Sequence, residues 1–243
     1  GAQVESTPRR AARGASAVVA MVTDDDASRA VWLDPLEGAL LELADGAVAV
    51  DASTLTPEWA RELADAVAAA GGSLLDAPVV GTRPQAEAGQ LIFLVGGDEA
   101  TYRRAESLLA AMGRHRHAGP SGHGMAIKLA ANALFALQVT GLAEALGLAK
   151  SAGIDVGRAA EILGSLPTTS PALGGVLAQI KSGSYAPLFP VDLVAKDLDY
   201  AVRTGAAGGV DMALSRTTLD AFEAVKRRGF GGENIAAVAR LYL

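Results

Sequence analysis

Cysteine is absent from the 243 residues. That excludes disulfide bonds and thiol catalysis, and fits a reducing cytoplasm. Aromatic side chains are scarce, 5% of a chain that is 50% hydrophobic. Alanine, leucine and valine must therefore build the core, and alanine-rich surfaces favour closely packed helices. A basic excess is lacking: the net charge is −6, which offers no footprint for nucleic acid or an acidic membrane. The opening GAQVESTPRRAARG has no apolar signal region and no cleavage signature. No run reaches the roughly 20 apolar residues of a membrane span, because Lys128, Asn132, Gln138 and Glu144 interrupt the Ala/Leu stretch after Gly124. A dinucleotide site normally opens with a strand and G-x-G-x-x-G at a helix start, and nothing of that form lies near residue 1. These absences predict a soluble, cytoplasmic protein with no nucleic-acid and no membrane partner.

The first half alternates apolar runs with helical segments. AVVAMV (17–22), AVAVDAS (47–53), SLLDAPVV (73–80) and QLIFLVGG (90–97) read as strands buried on both faces, and RHRHAG (114–119) as a polar edge strand. TPRRAARG (7–14), TPEWARELADAVAAAGG (56–72) and DEATYRRAESLLAAMG (98–113) carry helix caps and glycine stops. This alternation predicts a mostly parallel sheet with helices on its faces. From Gly124 onward the pattern is helical: 124–151, 155–166, 170–183, 190–209, 212–232 and 233–243. The Gly-rich GPSGHG then reads as an interdomain joint, and side chains just beyond it are expected at the carboxyl ends of the strands, where open α/β sheets bind ligands.

Several residues could carry chemistry. Lys128 and Asn132 lie one helical turn apart on one face. A desolvated lysine there would exchange a proton with a substrate oxygen, while a lysine snorkelling at a helix start is the more ordinary reading of that spacing. Ser53 and Thr54 in DASTLTP (51–57) follow a buried strand, beside a ligand or merely ahead of a helix cap at Thr56. DAPVVGTRPQAEAGQL (76–91) leaves a strand as a long loop, whose N–H groups around Gly81 and Thr82, with Arg83, could hold a carboxylate. Lys196 and Asp197 interrupt an amphipathic helix, a pattern usually met on surfaces. His115 and His117 share one strand face, but no further Cys, His or Asp cluster joins them, so no metal site is expected.

In order along the whole chain, these segments resemble the β-hydroxyacid dehydrogenase family, the group of 3-hydroxyisobutyrate dehydrogenase and tartronate semialdehyde reductase. AVVAMVTDD is similar to the family strand ending in a Leu-Pro-Asp turn, and DASTLTP to its D-x-S-T-x-x-P cofactor segment. DAPVVGTRPQAEAGQL resembles D-A-P-V-S-G-G-x-x-G-A-x-x-G-T-L, GPSGHGMAIKLAAN resembles G-x-x-G-x-G-x-x-x-K-x-x-x-N, and FPVDLVAKDLDYA resembles the K-D-L segment. The resemblance implies an incomplete, truncated Rossmann-type domain over 1–119 and an all-α substrate and dimerisation domain over 120–243, similar to the C-terminal domain of 6-phosphogluconate dehydrogenase.

It implies NADP or NAD as cofactor and a hydride moved between nicotinamide and a small hydroxyacid or semialdehyde. Lys128 would be the general acid/base, partnered by Asn132. Val22, Thr23, Thr54 and Lys196 would meet the cofactor, and Val80, Gly81, Thr82, Gly122 and Gly124 the substrate. It also implies a homodimer formed through the helical domain.

Three departures stand out. Val80 replaces the family serine, Val22–Thr23 replaces Leu-Pro, and GAQV looks like the family's third strand. The βαβ unit before that strand, with its phosphate-binding glycines, is then expected outside these residues. A protein without it would bind the dinucleotide weakly, since the pyrophosphate would lack a helix N-terminus. The competing expectations are an imine reductase-like enzyme, although such relatives commonly replace the lysine, and a non-catalytic family member kept for its helical surface.

Overall fold

A computed structural model describes residues 2–243. The chain divides into two compact units, 1–129 and 130–243. The first is a six-stranded sheet with helices. It contains α1 (Pro8–Ala12), β1 (Ala17–Ala20), α2 (Asp25–Leu33), β2 (Val48–Asp51), α3 (Pro57–Ala69), β3 (Ser73–Asp76), β4 (Val79–Val80), α4 (Arg83–Glu87), β5 (Leu91–Gly96), α5 (Glu99–Met112) and β6 (Gly113–Gly119). It also holds the start of α6 (His123–Ser151). The strand order is β1-β2-β3-β5-β4, with β6 on β5.

The parallel sheet expected from the sequence is present over β1–β2–β3 and again between β5 and β6. However, β5 runs antiparallel to both β3 and β4, so the sheet is mixed. Pro78 is the reason for the change. It has no N–H to give a ladder, so SLLDAPVV is two strands rather than one. β3 pairs with β2, and β4 crosses to β5.

β2 is buried at every residue, and its side chains alternate between two cores. Ala49 joins Trp32, Leu55, Trp59, Leu63 and Met125. Val48 and Val50 join Leu75, Phe93, Val95 and Leu109.

Other sequence expectations change. α2 was not expected. Asp24 caps it by accepting the Ala27 N–H at 2.8 Å, a start signal hidden in a run of three aspartates. GAQV forms no strand over its described residues 2–4, where Val4 is 95% exposed and no neighbouring strand offers a ladder. β6 pairs with β5 at the edge of the sheet, as expected, but His115 and His117 on it are half-buried, because Tyr102 of α5 packs on both rings.

The second unit is helical, as expected: the rest of α6, then α7 (Val156–Ser165), α8 (Gly174–Ser182), α9 (Val191–Ala207) and α10 (Ala213–Arg227). The last expected helix is instead a 3-10 segment, Ile235–Leu241, whose Ile235–Ala239 are buried. α9 packs against α10. By length and composition α6 is apolar enough to cross a membrane, which corrects the expectation that no segment reaches that measure. It supplies Met125 and Leu129 to the interior of one unit and Val139, Ala143 and Leu146 to that of the other.

A buried polar network ties the sheet unit together. Asp51, at the end of β2, accepts Ser28 Oγ at 2.7 Å, Trp32 Nε1 at 2.9 Å and its own loop's Ser53 N–H at 3.0 Å. Ser28 Oγ in turn accepts Trp59 Nε1 at 3.0 Å. Both tryptophans of the chain thus report on one carboxylate. Asp51→Ala strands three donors in the core and should lower the unfolding free energy by about 3 kcal/mol, read by denaturant titration of tryptophan emission. Asp51→Asn, which keeps an acceptor, should lose less than half of that.

Candidate functional site

The carboxyl ends of β1 and β2 lie side by side, with Ala20 in register with Asp51. Beyond them the Ser53 hydroxyl accepts the Val22 N–H at 2.8 Å. This bond joins two of the loops singled out in the sequence. Val22 and Thr54 are half-buried there, whereas Thr23 is exposed and its hydroxyl donates to Asp24 at 3.1 Å. Thr56 caps α3 and is held by Asp25, which accepts both its N–H and its hydroxyl at 2.9 and 2.7 Å. The loop after β2 is thereby fixed at its near end by Asp51 and at its far end by Asp25. Adjacent ends of parallel strands are where α/β sheets receive dinucleotides.

At the end of β3, Asp76 organises the turn before α6. It is fully buried. Its carboxylate accepts the N–H of Gly122 at 2.8 Å and of Met125 at 3.0 Å. Gly124 has no room for a side chain, since a Cβ there would lie 2.3 Å from the Leu94 carbonyl oxygen and 2.6 Å from that of Asp76. Gly124 thus lets the start of α6 press onto β3 and β5, and Gly122, where a Cβ would lie 2.8 Å from the Pro57 carbonyl oxygen, lets the turn pass close to α3. Lys128 follows one turn later and is buried, so the solvated, snorkelling alternative does not describe it.

Burial raises the Asp76 carboxyl to about 6, against the opposing pull of the Gly122 and Met125 N–H groups.

In the helical unit, the Asn132 amide donates to Asp197 Oδ2 at 2.6 Å, and Lys196 Nζ lies 3.0 Å from Asp197 Oδ1. Asp197 therefore bridges two residues that the sequence singled out separately. The surface reading of Lys196–Asp197 fails: their side chains are only 17% and 5% exposed. Lys196 also sits 4.7 Å from the Tyr200 ring centre. Asp51, Asp76 and Asp197 are the residues that sequence reasoning missed as organisers. For Asp197 the available signal was a Lys-Asp pair on an otherwise apolar helix face.

The loop after β4 behaves differently from expectation. Thr82 donates both its N–H and its hydroxyl to Gln85 Oε1, at 2.9 and 2.8 Å. Arg83 pairs with Glu87 at 2.7 Å on an exposed surface. Val80 is 36% exposed. His115 Nδ1 meets the Tyr102 hydroxyl at 2.7 Å and His117 Nε2 the Gly97 carbonyl at 2.8 Å. Among the described residues no group of three or more His, Cys, Asp or Glu could hold a metal ion.

A sheet unit of this topology, a long helix that leaves it with a buried lysine near its start, and a helical unit after it define a class of nicotinamide-dependent dehydrogenases. Residues 1–126 match the NAD binding domain of 6-phosphogluconate dehydrogenase, and residues 122–242 match the NAD-binding domain of NADP-dependent 3-hydroxyisobutyrate dehydrogenase. The chain is 31% identical over 250 residues to NAD-dependent L-serine dehydrogenase of Pseudomonas aeruginosa, covering 100% of this chain and 84% of that protein. It is 36% identical over 215 residues to 3-hydroxyisobutyrate dehydrogenase of the same organism, covering 85% and 72%. The crystal structure of 3-hydroxyisobutyrate dehydrogenase from Salmonella typhimurium superposes with a TM-score of 0.87 at 26% identity, covering 97% of this chain and 82% of that one. The chain belongs to the β-hydroxyacid dehydrogenase family, oxidoreductases that act on CH–OH groups with NAD or NADP.

The raised Asp76 carboxyl has a consequence for stability. A carboxyl that binds its proton more readily folded than unfolded opposes folding above pH 6, and that opposition fades as pH falls from 6 towards 3.8. Carbon-13 titration of Asp76 should give a midpoint near 6, and Asp76→Asn should flatten the melting temperature between pH 7 and 5. A midpoint below about 4.5 would contradict the burial argument.

Proposed function

We propose that the chain oxidises a small hydroxy compound, or reduces the matching carbonyl, with Lys128 as general acid/base. The buried position of Lys128, one helical turn after the N–H groups anchored by Asp76, carries this reading. When bound, the nicotinamide accepts or donates the hydride. Lys128 takes the hydroxyl proton as the carbonyl forms and returns it in the reverse direction. Asn132, whose amide donates to Asp197, would act as the partner of Lys128 one turn further along. Val22, Thr23 and Thr54 would hold the cofactor at the ends of β1 and β2, and Lys196 is assigned to the same cofactor by the family resemblance. Val80, Gly81 and Thr82 would face the substrate. Gly122 and Gly124 serve it indirectly, by seating α6.

The reading extends to a cytoplasmic homodimer joined through the helical unit. Reduced nicotinamide cofactors are kept inside cells. Leu134 and Leu148, two heptads apart on α6, are 59% and 72% exposed and give a partner an apolar stripe to cover.

Lys128→Ala should lower kcat at least 100-fold with cofactor affinity unchanged, measured by NAD(P)H absorbance. Turnover within a few-fold of the parent would remove the lysine from the mechanism. NADPH or NADH at about 100 times its Kd should stabilise the protein by roughly 2.7 kcal/mol in thermal unfolding. No response to either would favour the non-catalytic alternative.

A further inference from the structure

Three features of the Val80–Thr82 loop would receive a substrate carboxylate: a hydroxyl at residue 80, the open side of Gly81 and the donors of Thr82. All three are closed. Residue 80 carries an isopropyl group, 36% exposed, with no donor. The space beside Gly81 is filled: a Cβ there would meet Leu91 Cδ2 at 3.0 Å and Gln85 Cβ at 3.1 Å. Both Thr82 donors already point at one oxygen, Gln85 Oε1. Gln85 stands where the family pattern has glycine, so its stem and its carboxamide together occupy what would be an anion pocket. The cation two residues on does not restore it, because Arg83 is paired with Glu87.

The geometry points to a substrate that presents an uncharged, apolar group to this loop instead of a carboxylate, with Gln85 as the residue that enforces the choice. The inference rests on the assignment of Val80–Thr82 to the substrate. A carboxylate arriving here must displace Gln85 Oε1 from two hydrogen bonds and shed water against valine methyls, without a hydroxyl to replace it. An ester or alkyl end leaves the Thr82–Gln85 bonds intact and gains contact with Val80. Discrimination thus comes from an unfavourable step against the acid as much as from attraction for the neutral group.

The test compares 3-hydroxyisobutyrate with its methyl ester as probes, using the full chain and NAD(P)+. Expected for the parent protein is a higher kcat/KM for the ester. Expected for Val80→Ser with Gln85→Gly is a rise of at least about fivefold for the acid, through KM. That is the worth of one lost side-chain cap. The ester, which loses its contact with the Val80 methyls, should fall, so that the acid-to-ester ratio rises by more than the gain for the acid alone. Gln85→Gly alone should move the acid in the same direction. A parent protein that prefers the acid, or a double variant with an unchanged acid-to-ester ratio, overturns the inference. Where turnover is undetectable, the same ratio is read from saturation-transfer NMR of the two probes with NADP+ present. Lys128→Ala separates the two claims: abolished turnover with an acid preference keeps the lysine chemistry and discards the loop inference. Surviving turnover with an ester preference does the reverse.

Discussion

A buried carboxylate at the end of a strand, accepting two backbone N–H groups from the first turn of a helix, is the constraint on which the rest depends. Asp76 holds Gly122 and Met125 within hydrogen-bond distance, and Gly124 lets the helix backbone touch Leu94 and Asp76 where any side chain would collide. The arrangement satisfies orphan N–H groups at a helix start and places a negative charge at the positive end of a long helix. It also fixes the axial position of every residue that follows on α6, Lys128 included. The cost is visible in the carboxyl itself, which burial raises to about 6. A group so placed is retained because its removal would leave buried donors without partners.

Asp51 and Asp197 use the same device at other points. Asp51 gathers an indole, a hydroxyl and a backbone N–H at the end of β2. Asp197 sits between the Asn132 amide and the Lys196 ammonium. In each case a buried carboxylate orients neighbouring side chains or backbone N–H groups. Charge-assisted hydrogen bonds are about twice as strong as neutral ones, which suits them to holding side chains whose own packing is small. With few aromatics to wedge elements in place, the fold relies on these bonds and on close Ala and Gly contacts.

The loop after β4 is held by its own side chains. Its backbone still turns at Gly81, whose φ of +129° lies outside the range comfortable for other residues. Gln85, three residues after Thr82, turns an open donor pair into a closed capping box. A helix-capping motif and an anion pocket use the same N–H groups, and a single side-chain oxygen decides between them.

The order of elements was legible in the sequence because the signals are local. Apolar runs marked β1, β2 and β5, and cap residues marked α1, α3 and α5. The change from strand signals to helical ones set the two halves apart. Lys128 and Asn132 were legible as a pair because helical spacing alone puts them on one face. Local signals could not show that β5 runs against β3, since strand direction is decided by which neighbour supplies the ladder. Nor could they show that Lys196 and Asp197 are buried, because a charged pair reads the same on either face until the packing of α9 is known. The partners of Asp76 lie 46 and 49 residues away in sequence, and the proton equilibrium of that group depends on desolvation by segments it meets only on folding. The resemblance of motifs in order along the sequence thus determined the class of the protein and its candidate lysine, while tertiary structure alone decided which carboxylates gather the buried donors, because hydrogen-bond partners distant in sequence exist only once the chain has packed.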